Sequence, residues 1–294
     1  LNAAASRLAV GVLWLLHWLP LPVLAALGNG LGRALYRVAG SRRRIALRNL
    51  ELCFPGRTAS EREALAREHF RWLARSLLER SLLWWSSEAR LRRLIHVEGD
   101  VGLADRSDKP VMWLVPHFVG LDVAGVAEQL HVRKHAASIY QAQSNKVFDE
   151  VIRRGRLRFG RAEIFARQES SRPLIRCIRQ GRPFFNLPDM DFGMQDAAFV
   201  PFFGVPAATL LAPSRMARAL DMVVQPVVAE ILPRGRGYRV RFLPPWSGFP
   251  SDDPMADALA MNRWIESEIE RNPAQYLWVH KRFKTRPPGE PGLY

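Results

Sequence analysis

Apolar and polar residues alternate along this chain in three different rhythms. The first is an uninterrupted apolar stretch, LAVGVLWLLHWLPLPVLAALG, over residues 8–28, with no charged side chain between Arg7 and Arg33. Its length is about that needed to cross a hydrocarbon core of ~30 Å, although His17, Pro20 and Pro22 interrupt it. Arg33, Arg37, Arg42, Arg43, Arg44 and Arg48 follow at once. That bias predicts a membrane anchor over residues 1–32 with everything downstream on the cytoplasmic side. Two other arrangements fit the same residues: a buried core helix, or a helix lying in the interface with its arginines on headgroups.

The second rhythm is helical. Residues 58–85 open with Thr58-Ala59-Ser60-Glu61, a capping box, and place Leu65, Phe70, Leu73, Leu77 and Leu78 at spacings that predict one apolar face. Trp84 and Trp85 end this stretch as core or as a second membrane contact.

From about Lys109 the rhythm becomes short apolar runs separated by helical stretches. Strands are predicted over 111–115, 136–140, 163–165, 184–187, 223–232 and 238–242, and helices over 121–130, 147–158, 170–180, 209–220 and 255–270. Such alternation predicts an α/β fold with a mostly parallel central sheet flanked by helices. The expected organisation is the anchor, 1–32, then one domain over 33–294, with a helical lead-in at 33–108 and an α/β core at 109–294.

Composition narrows the classes. Apolar residues make up 48% of the chain and charged residues 24%, which excludes wholesale disorder. The net charge of +15 rests on arginine, since there are only five lysines. Guanidinium forks suit phosphate and carboxylate, so anionic lipid, an acidic protein or nucleic acid would all suit such a surface; arginine-rich codon usage accounts for such a composition equally well. Recognised nucleic-acid-binding modules are missing, so no nucleic-acid partner is expected. Two cysteines, Cys53 and Cys177, exclude a disulfide framework and a cysteine zinc site.

Three groups of residues offer chemistry. His117 and Asp122 lie in Pro116-His117-Phe118-Val119-Gly120-Leu121-Asp122, directly after a buried strand, where open α/β sheets collect ligands. On a regular helix the two would point roughly 140° apart. They meet only if His117 precedes the helix, in which case Asp122 would fix the tautomer and Nε2 would take a proton from a hydroxyl. Pro188-Asp189-Met190-Asp191-Phe192-Gly193 ends another buried strand; its acids could hold a divalent metal with a nucleotide sugar, anchor a loop, or hold arginines that position phosphate. The basic runs Arg153–Arg161 and Val279-His280-Lys281-Arg282-Phe283-Lys284-Thr285-Arg286-Pro287 could grip phosphate or a carrier-protein surface, or simply be solvated. No GxSxG elbow, Walker loop, GxGxxG or HExxH occurs.

Taken together these motifs resemble the late acyltransferases of lipid A biosynthesis, the lauroyl/myristoyl acyltransferase family of Gram-negative bacteria. The likeness rests on Arg44-Ile45-Ala46-Leu47-Arg48-Asn49-Leu50 with Cys53-Phe54-Pro55, on the His117/Asp122 motif, and on Gly155-Arg156-Leu157-Arg158. It continues through the Asp189/Asp191 motif, Val200-Pro201-Phe202-Phe203-Gly204, Pro206-Ala207-Ala208-Thr209 and the stretch from Gln275 to Pro287. Members often carry glutamate where Asp122 stands; aspartate is usual in the wider glycerolipid acyltransferase group. The resemblance implies a glycerolipid-acyltransferase-like fold and a fatty acyl thioester on acyl carrier protein as donor. The implied acceptor is a hydroxyl of a phosphorylated, Kdo-bearing lipid A precursor. It implies His117 and Asp122 as the catalytic pair, and Asn145, Arg156, Arg158, Asp189, Asp191, Arg282 and Lys284 as substrate contacts. It implies no metal, no cofactor beyond the acyl carrier protein co-substrate, and a place at the cell inner membrane. The competing readings are a metal-dependent glycosyltransferase built on Asp189/Asp191 and a non-catalytic lipid-binding protein.

Overall fold

The computed structural model describes residues 2–168 and 171–294. Four helices lead: α1 (Ala3–Leu16), α2 (Leu21–Val38), α3 (Gly40–Cys53) and α4 (Ala59–Trp85). There follow α5 (Glu88–Leu94), β1 (Ile95–Gly99), α6 (Leu103–Arg106), β2 (Val111–Leu114) and α7 (Leu121–His131). Next come β3 (Ala136–Tyr140), α8 (Lys146–Leu157), β4 (Ala162–Ala166), α9 (Arg172–Arg179), β5 (Phe184–Asn186), β6 (Ala197–Phe202) and β7 (Val205–Leu210). The chain closes with α10 (Ala212–Ala219), β8 (Val223–Ile231), β9 (Tyr238–Phe242) and α11 (Pro254–Arg271).

Seven strands form one sheet in the order β1-β9-β8-β2-β5-β3-β4, and β6 and β7 make a separate antiparallel hairpin. β8, β2, β5, β3 and β4 run parallel, while β9 pairs antiparallel to β8. The inner strands β8, β2, β5 and β3 each feed two cores by their period-two alternation. In β2, Met112 and Leu114 face a core shared with Phe70, Ile178 and Ile265, whereas Val111 and Trp113 face one shared with Leu82, Val123 and Leu130. All four β2 residues are buried, as a strand covered on both faces requires.

Most predicted elements are present. Residues 209 and 210 belong to the end of β7 rather than to a helix, which starts at Ala212 with Pro213 in its first turn. The hairpin β6–β7 and strand β1 have no counterpart in the sequence reading. Strand β1 is broken by polar and charged residues, and the apolar runs of β6 and β7 carry Pro201 and Pro206, residues that read against a strand. Ser170, placed at the start of a predicted helix, lies outside the described residues; the helix found there is Arg172–Arg179. In α4 the capping box is present, Glu61 N donating to Thr58 Oγ1 and Thr58 N to Glu61 Oε2. Its buried face, however, carries Leu65, Ala66, Phe70 and Ala74, and Leu77 is exposed. Trp84 is core.

The expected membrane-anchoring helix is not supported. The apolar stretch breaks at 17–20, where Arg90 of α5 donates to the carbonyls of His17 and Leu19. α1 has 14 residues, or ~21 Å of rise, short of a ~30 Å core. Among the described residues no helix is long and apolar enough to cross a membrane. α2 continues through residue 32, and it is packed on α4 rather than free. A Cβ on Gly28 would lie 2.7 Å from Arg75 Cγ, and one on Gly32 would lie 2.5 Å from Arg71 Cα. Two glycines four residues apart therefore let the α2 backbone rest directly on α4. What remains exposed is a set of large apolar side chains, Leu8, Val12, Trp14, Leu15 and Trp18 around α1, and Val23, Leu27, Leu31 and Val38 on α2.

Candidate active site

β2 and β5 are neighbours in the sheet, with Leu114 opposite Asn186. The pairing extends one step beyond the strands, since Val115 N donates to Asn186 O at 2.9 Å. Both chains then turn at a proline, Pro116 and Pro188, and the next residues are His117 and Asp189. The backbone N–H of His117 donates to Asp189 Oδ2 at 2.9 Å, and Nδ1–H donates to Asp189 Oδ1 at 2.6 Å. This two-point grip fixes both the position of the imidazole and its tautomer. The Asp189 side chain is wholly buried and that of His117 is 14% exposed. Among the described residues no protein group is hydrogen-bonded to His117 Nε2, so the acceptor nitrogen is the one left for a substrate.

Burial works to raise the Asp189 carboxyl, but the charge of His117 and its two hydrogen bonds, with a further contribution from Arg282, leave it below the ordinary carboxylate range. Arg282 itself is buried and donates to Ala208 O and Thr209 Oγ1, with its guanidinium 5.0 Å from the centroid of the Phe202 ring. The C-terminal segment closes over the histidine loop: Leu277 N donates to His117 O, Val119 N to Gln275 O, and Phe118 bridges Tyr276. Gln275 in turn pairs both side-chain atoms with the backbone of Ile231 at the end of β8.

The predicted partnership of His117 with Asp122 is therefore corrected. His117 does precede the helix, as that partnership required, but its Nδ1 is taken by Asp189. Asp122 sits in the first turn of α7 and faces α4 and α8. Its Oδ2 accepts from Arg80 Nε at 2.7 Å, and its Oδ1 accepts from Arg156 Nε at 3.0 Å and lies 2.8 Å from a terminal Arg156 nitrogen. Burial opposes its charge, yet the adjacent Arg156 and Arg80 guanidiniums hold the carboxyl far below its usual range. Arg80 had no signal in the sequence, since its pairing spans 42 residues and no local pattern marks it.

The other expected contacts separate into two groups. Arg156 and Asp122 line a cavity of about 70 Å³ between α7, α8 and strands β3–β5, whose walls include Trp84, Val126, Ile164, Phe185 and Leu187. Its lining is mostly apolar, and it is narrow in this structure. The structure places the remaining residues away from this cavity. Arg158 donates to Leu83 O and Ser86 O, closing the C-terminus of α4. Asn145 caps α8 through Val147 N and Phe148 N and donates to Ser6 Oγ. Asp191 accepts from Thr285 N at 2.7 Å, from Thr285 Oγ1 at 2.8 Å and from Gly193 N at 2.9 Å. Both acids of the Asp-x-Asp motif are thus engaged, in different directions, one with His117 and one with the C-terminal segment. Of the basic C-terminal run, Arg282 is buried in structure and Lys284 is exposed.

A buried strand thus delivers a histidine oriented by a carboxylate, an arrangement suited to general-base chemistry, and comparison with known proteins is more specific. The profile of the family described as bacterial lipid A biosynthesis acyltransferase matches residues 2–285. The chain is 35% identical over 288 residues to the lipid A biosynthesis palmitoleoyltransferase of Escherichia coli K12, covering 97% of this chain and 92% of that protein. It is 34% identical to the lauroyltransferase of the same organism over 290 residues, 98% and 94% of the two chains. With the myristoyltransferase it shares 32% over 271 residues, 92% and 82%. The chain belongs to the lipid A biosynthesis acyltransferase family and is an O-acyltransferase.

Proposed function

We propose that this protein moves a fatty acyl chain from an acyl carrier protein thioester to a hydroxyl of a phosphorylated, Kdo-bearing lipid A precursor. The observation that carries the mechanism is the His117–Asp189 grip. His117 Nε2 removes the proton of the acceptor hydroxyl as its oxygen attacks the thioester carbonyl carbon. The resulting tetrahedral oxyanion collapses with breakage of the C–S bond, and the proton passes from Nε2 to the departing thiolate. Asp189 holds the tautomer and stabilises the transient imidazolium. Arg156, held by Asp122 at the cavity wall, is the group assigned in this reading to steady the oxyanion or an acceptor phosphate. The acyl chain in this reading enters along the apolar lining of Val126, Ile164, Phe185 and Leu187, which opens to admit it. This chemistry calls on no cofactor, the carrier thioester being a co-substrate.

The place of action in this reading is the cytoplasmic face of the inner membrane. The exposed apolar side chains of α1 and α2, with Leu8 71%, Trp18 69% and Val38 78% exposed, lie against lipid, and the arginines after residue 32 face anionic headgroups. A shallow-lying pair of helices replaces the spanning helix and leaves product in the bilayer where it is made.

The test is mass spectrometry of a tetra-acylated lipid A precursor incubated with purified protein and a panel of acyl carrier protein thioesters. A gain of one acyl mass, abolished in His117→Ala, supports the reading. No gain with any donor, or a gain that His117→Ala leaves intact, removes it.

A further inference from the structure

A second polar site lies away from His117. On α2, at about 100° per residue, Val23, Leu27, Leu31 and Val38 fall in one exposed apolar stripe, and Arg33 and Arg37 run along one flank of it. These two arginines border a hollow whose other walls are Tyr36, Arg43, Glu63, Arg67 and Arg71, from α2, α3 and α4. Five guanidiniums therefore surround a single carboxylate, and that carboxylate is taken: Glu63 Oε1 accepts from Arg67 at 2.6 Å and from the Tyr36 hydroxyl. Arg43 donates to the carbonyls of Tyr36 and Arg37. Among the described residues, Arg33, Arg37 and Arg71 have no carboxylate partner, and Arg71 Nε is buried without an acceptor. So much unneutralised positive charge around one hollow is a site for an anion with several oxygens, which guanidinium forks bind bidentately.

The position selects the anion. A helix whose apolar stripe is buried in the acyl boundary brings the residues on its flank to headgroup depth. We propose that this arginine hollow binds the phosphate of a membrane-lipid headgroup and so sets how the protein sits on an anionic bilayer. The proposal rests on the membrane-surface reading given above for α1 and α2.

The test is sedimentation of the full chain with sucrose-loaded vesicles, either phosphatidylcholine alone or phosphatidylcholine with one third phosphatidylglycerol. Four proteins are compared: wild type, Arg33→Gln with Arg37→Gln, Leu27→Ser with Leu31→Ser, and Arg176→Gln with Arg179→Gln. The last removes the same charge from α9, far along the chain. Circular dichroism checks that each is folded, and acylation assays in detergent give the KM for acceptor and for carrier thioester. The expected result is that the Arg33/Arg37 variant loses about thirtyfold in affinity for anionic vesicles, each of the two basic residues at a membrane surface contributing on the order of 1 kcal/mol. Its affinity for neutral vesicles and both KM values stay at wild type, and the α9 variant loses at most twofold. Equal losses in the two arginine variants, or no loss, overturn the hollow as a phosphate site. A raised KM for acceptor or carrier with vesicle binding intact overturns it in favour of a substrate-docking site. If wild type sediments with neither vesicle, or the Leu27/Leu31 variant sediments as wild type does, the membrane-surface reading itself is what fails.

Discussion

His117 and Asp189 each stand three residues beyond a matched pair in adjacent parallel strands, Leu114 and Asn186, and the hydrogen bonds between them continue the sheet past its edge. Parallel strands in register therefore deliver base and orienting acid to one point, although 72 residues separate them. Asp122, only five residues away in sequence, is turned by α7 toward Arg80 and Arg156.

The two acids are expected to fail in different ways. Asp189→Asn cannot hold Nδ1–H as a carboxylate does, and kcat is expected to fall by about 10³–10⁴, as when a triad aspartate is replaced. Asp122→Asn releases Arg80 and Arg156, so it is expected to lose at least about tenfold in kcat/KM with a lower thermal midpoint, part of that from two part-exposed arginines left unpaired. Steady-state kinetics and thermal melts on the two variants check this. An Asp189→Asn enzyme as active as wild type would remove Asp189 from the mechanism.

The cavity wall offers a handle on acyl chain length. Gly125 lines the cavity, and a Cβ placed on it meets nothing within 4 Å. Gly125→Phe is expected to fold and to fill acyl space, shifting donor preference toward shorter chains by about tenfold or more, several methylenes each contributing ~0.8 kcal/mol of burial. Competition between carrier thioesters of different length, read by product mass, decides it.

Gly32→Ala tests the α2–α4 contact. Alanine is the better helix former by about 1 kcal/mol, but its Cβ would lie 2.5 Å from a backbone atom of Arg71, which is not a flexible neighbour. The steric term is expected to win, with a net destabilisation of about 1–3 kcal/mol and a thermal midpoint several degrees lower. Gly30→Ala, whose Cβ meets open space, is the control and is expected to be neutral or mildly stabilising.

Acid sensitivity should come from buried histidines. His69 is fully buried, donates Nδ1–H to Ala274 O at 3.0 Å, and is pushed down to about 4 by burial, which the hydrogen bond only partly offsets. His280 is likewise lowered to about 4 by burial and by the charge of His117. An unfolded histidine takes its proton near 6.5 while these resist it, so their contribution is complete above pH ~6.5 and is lost as pH falls toward 4. For His69 alone the loss is about 3 kcal/mol across that window. Melts at pH 7, 5.5 and 4.5 should show the fall, and His69→Gln should flatten it.

Asp191 is expected to act as a latch. Asp191→Ala removes the acceptor for Thr285 N and Oγ1 and for Gly193 N. Limited trypsinolysis should then cut faster at Lys284, which is already exposed, than in wild type.

The sequence by itself determined the α/β alternation, because buried strands such as 111–115 and 184–187 are apolar on both faces and amphipathic helices between them are not. It also determined the family, the histidine, and the Asp-x-Asp motif as places of consequence. Strand β1 is short and broken by polar and charged residues, and the β6–β7 hairpin is apolar but carries a proline in each strand, which reads against a strand. Which carboxylate serves His117 was decided only in three dimensions, because the order of strands in a sheet is set by long-range packing rather than by neighbours in the chain. The same holds for the apolar N-terminus. Its composition describes a spanning segment, but the break at 17–20 and the glycine contacts of α2 with α4 turn it into two shorter helices, one of them packed on the core. A hydrophobic run reports that its side chains leave water; only the tertiary contacts decide whether lipid or protein receives them.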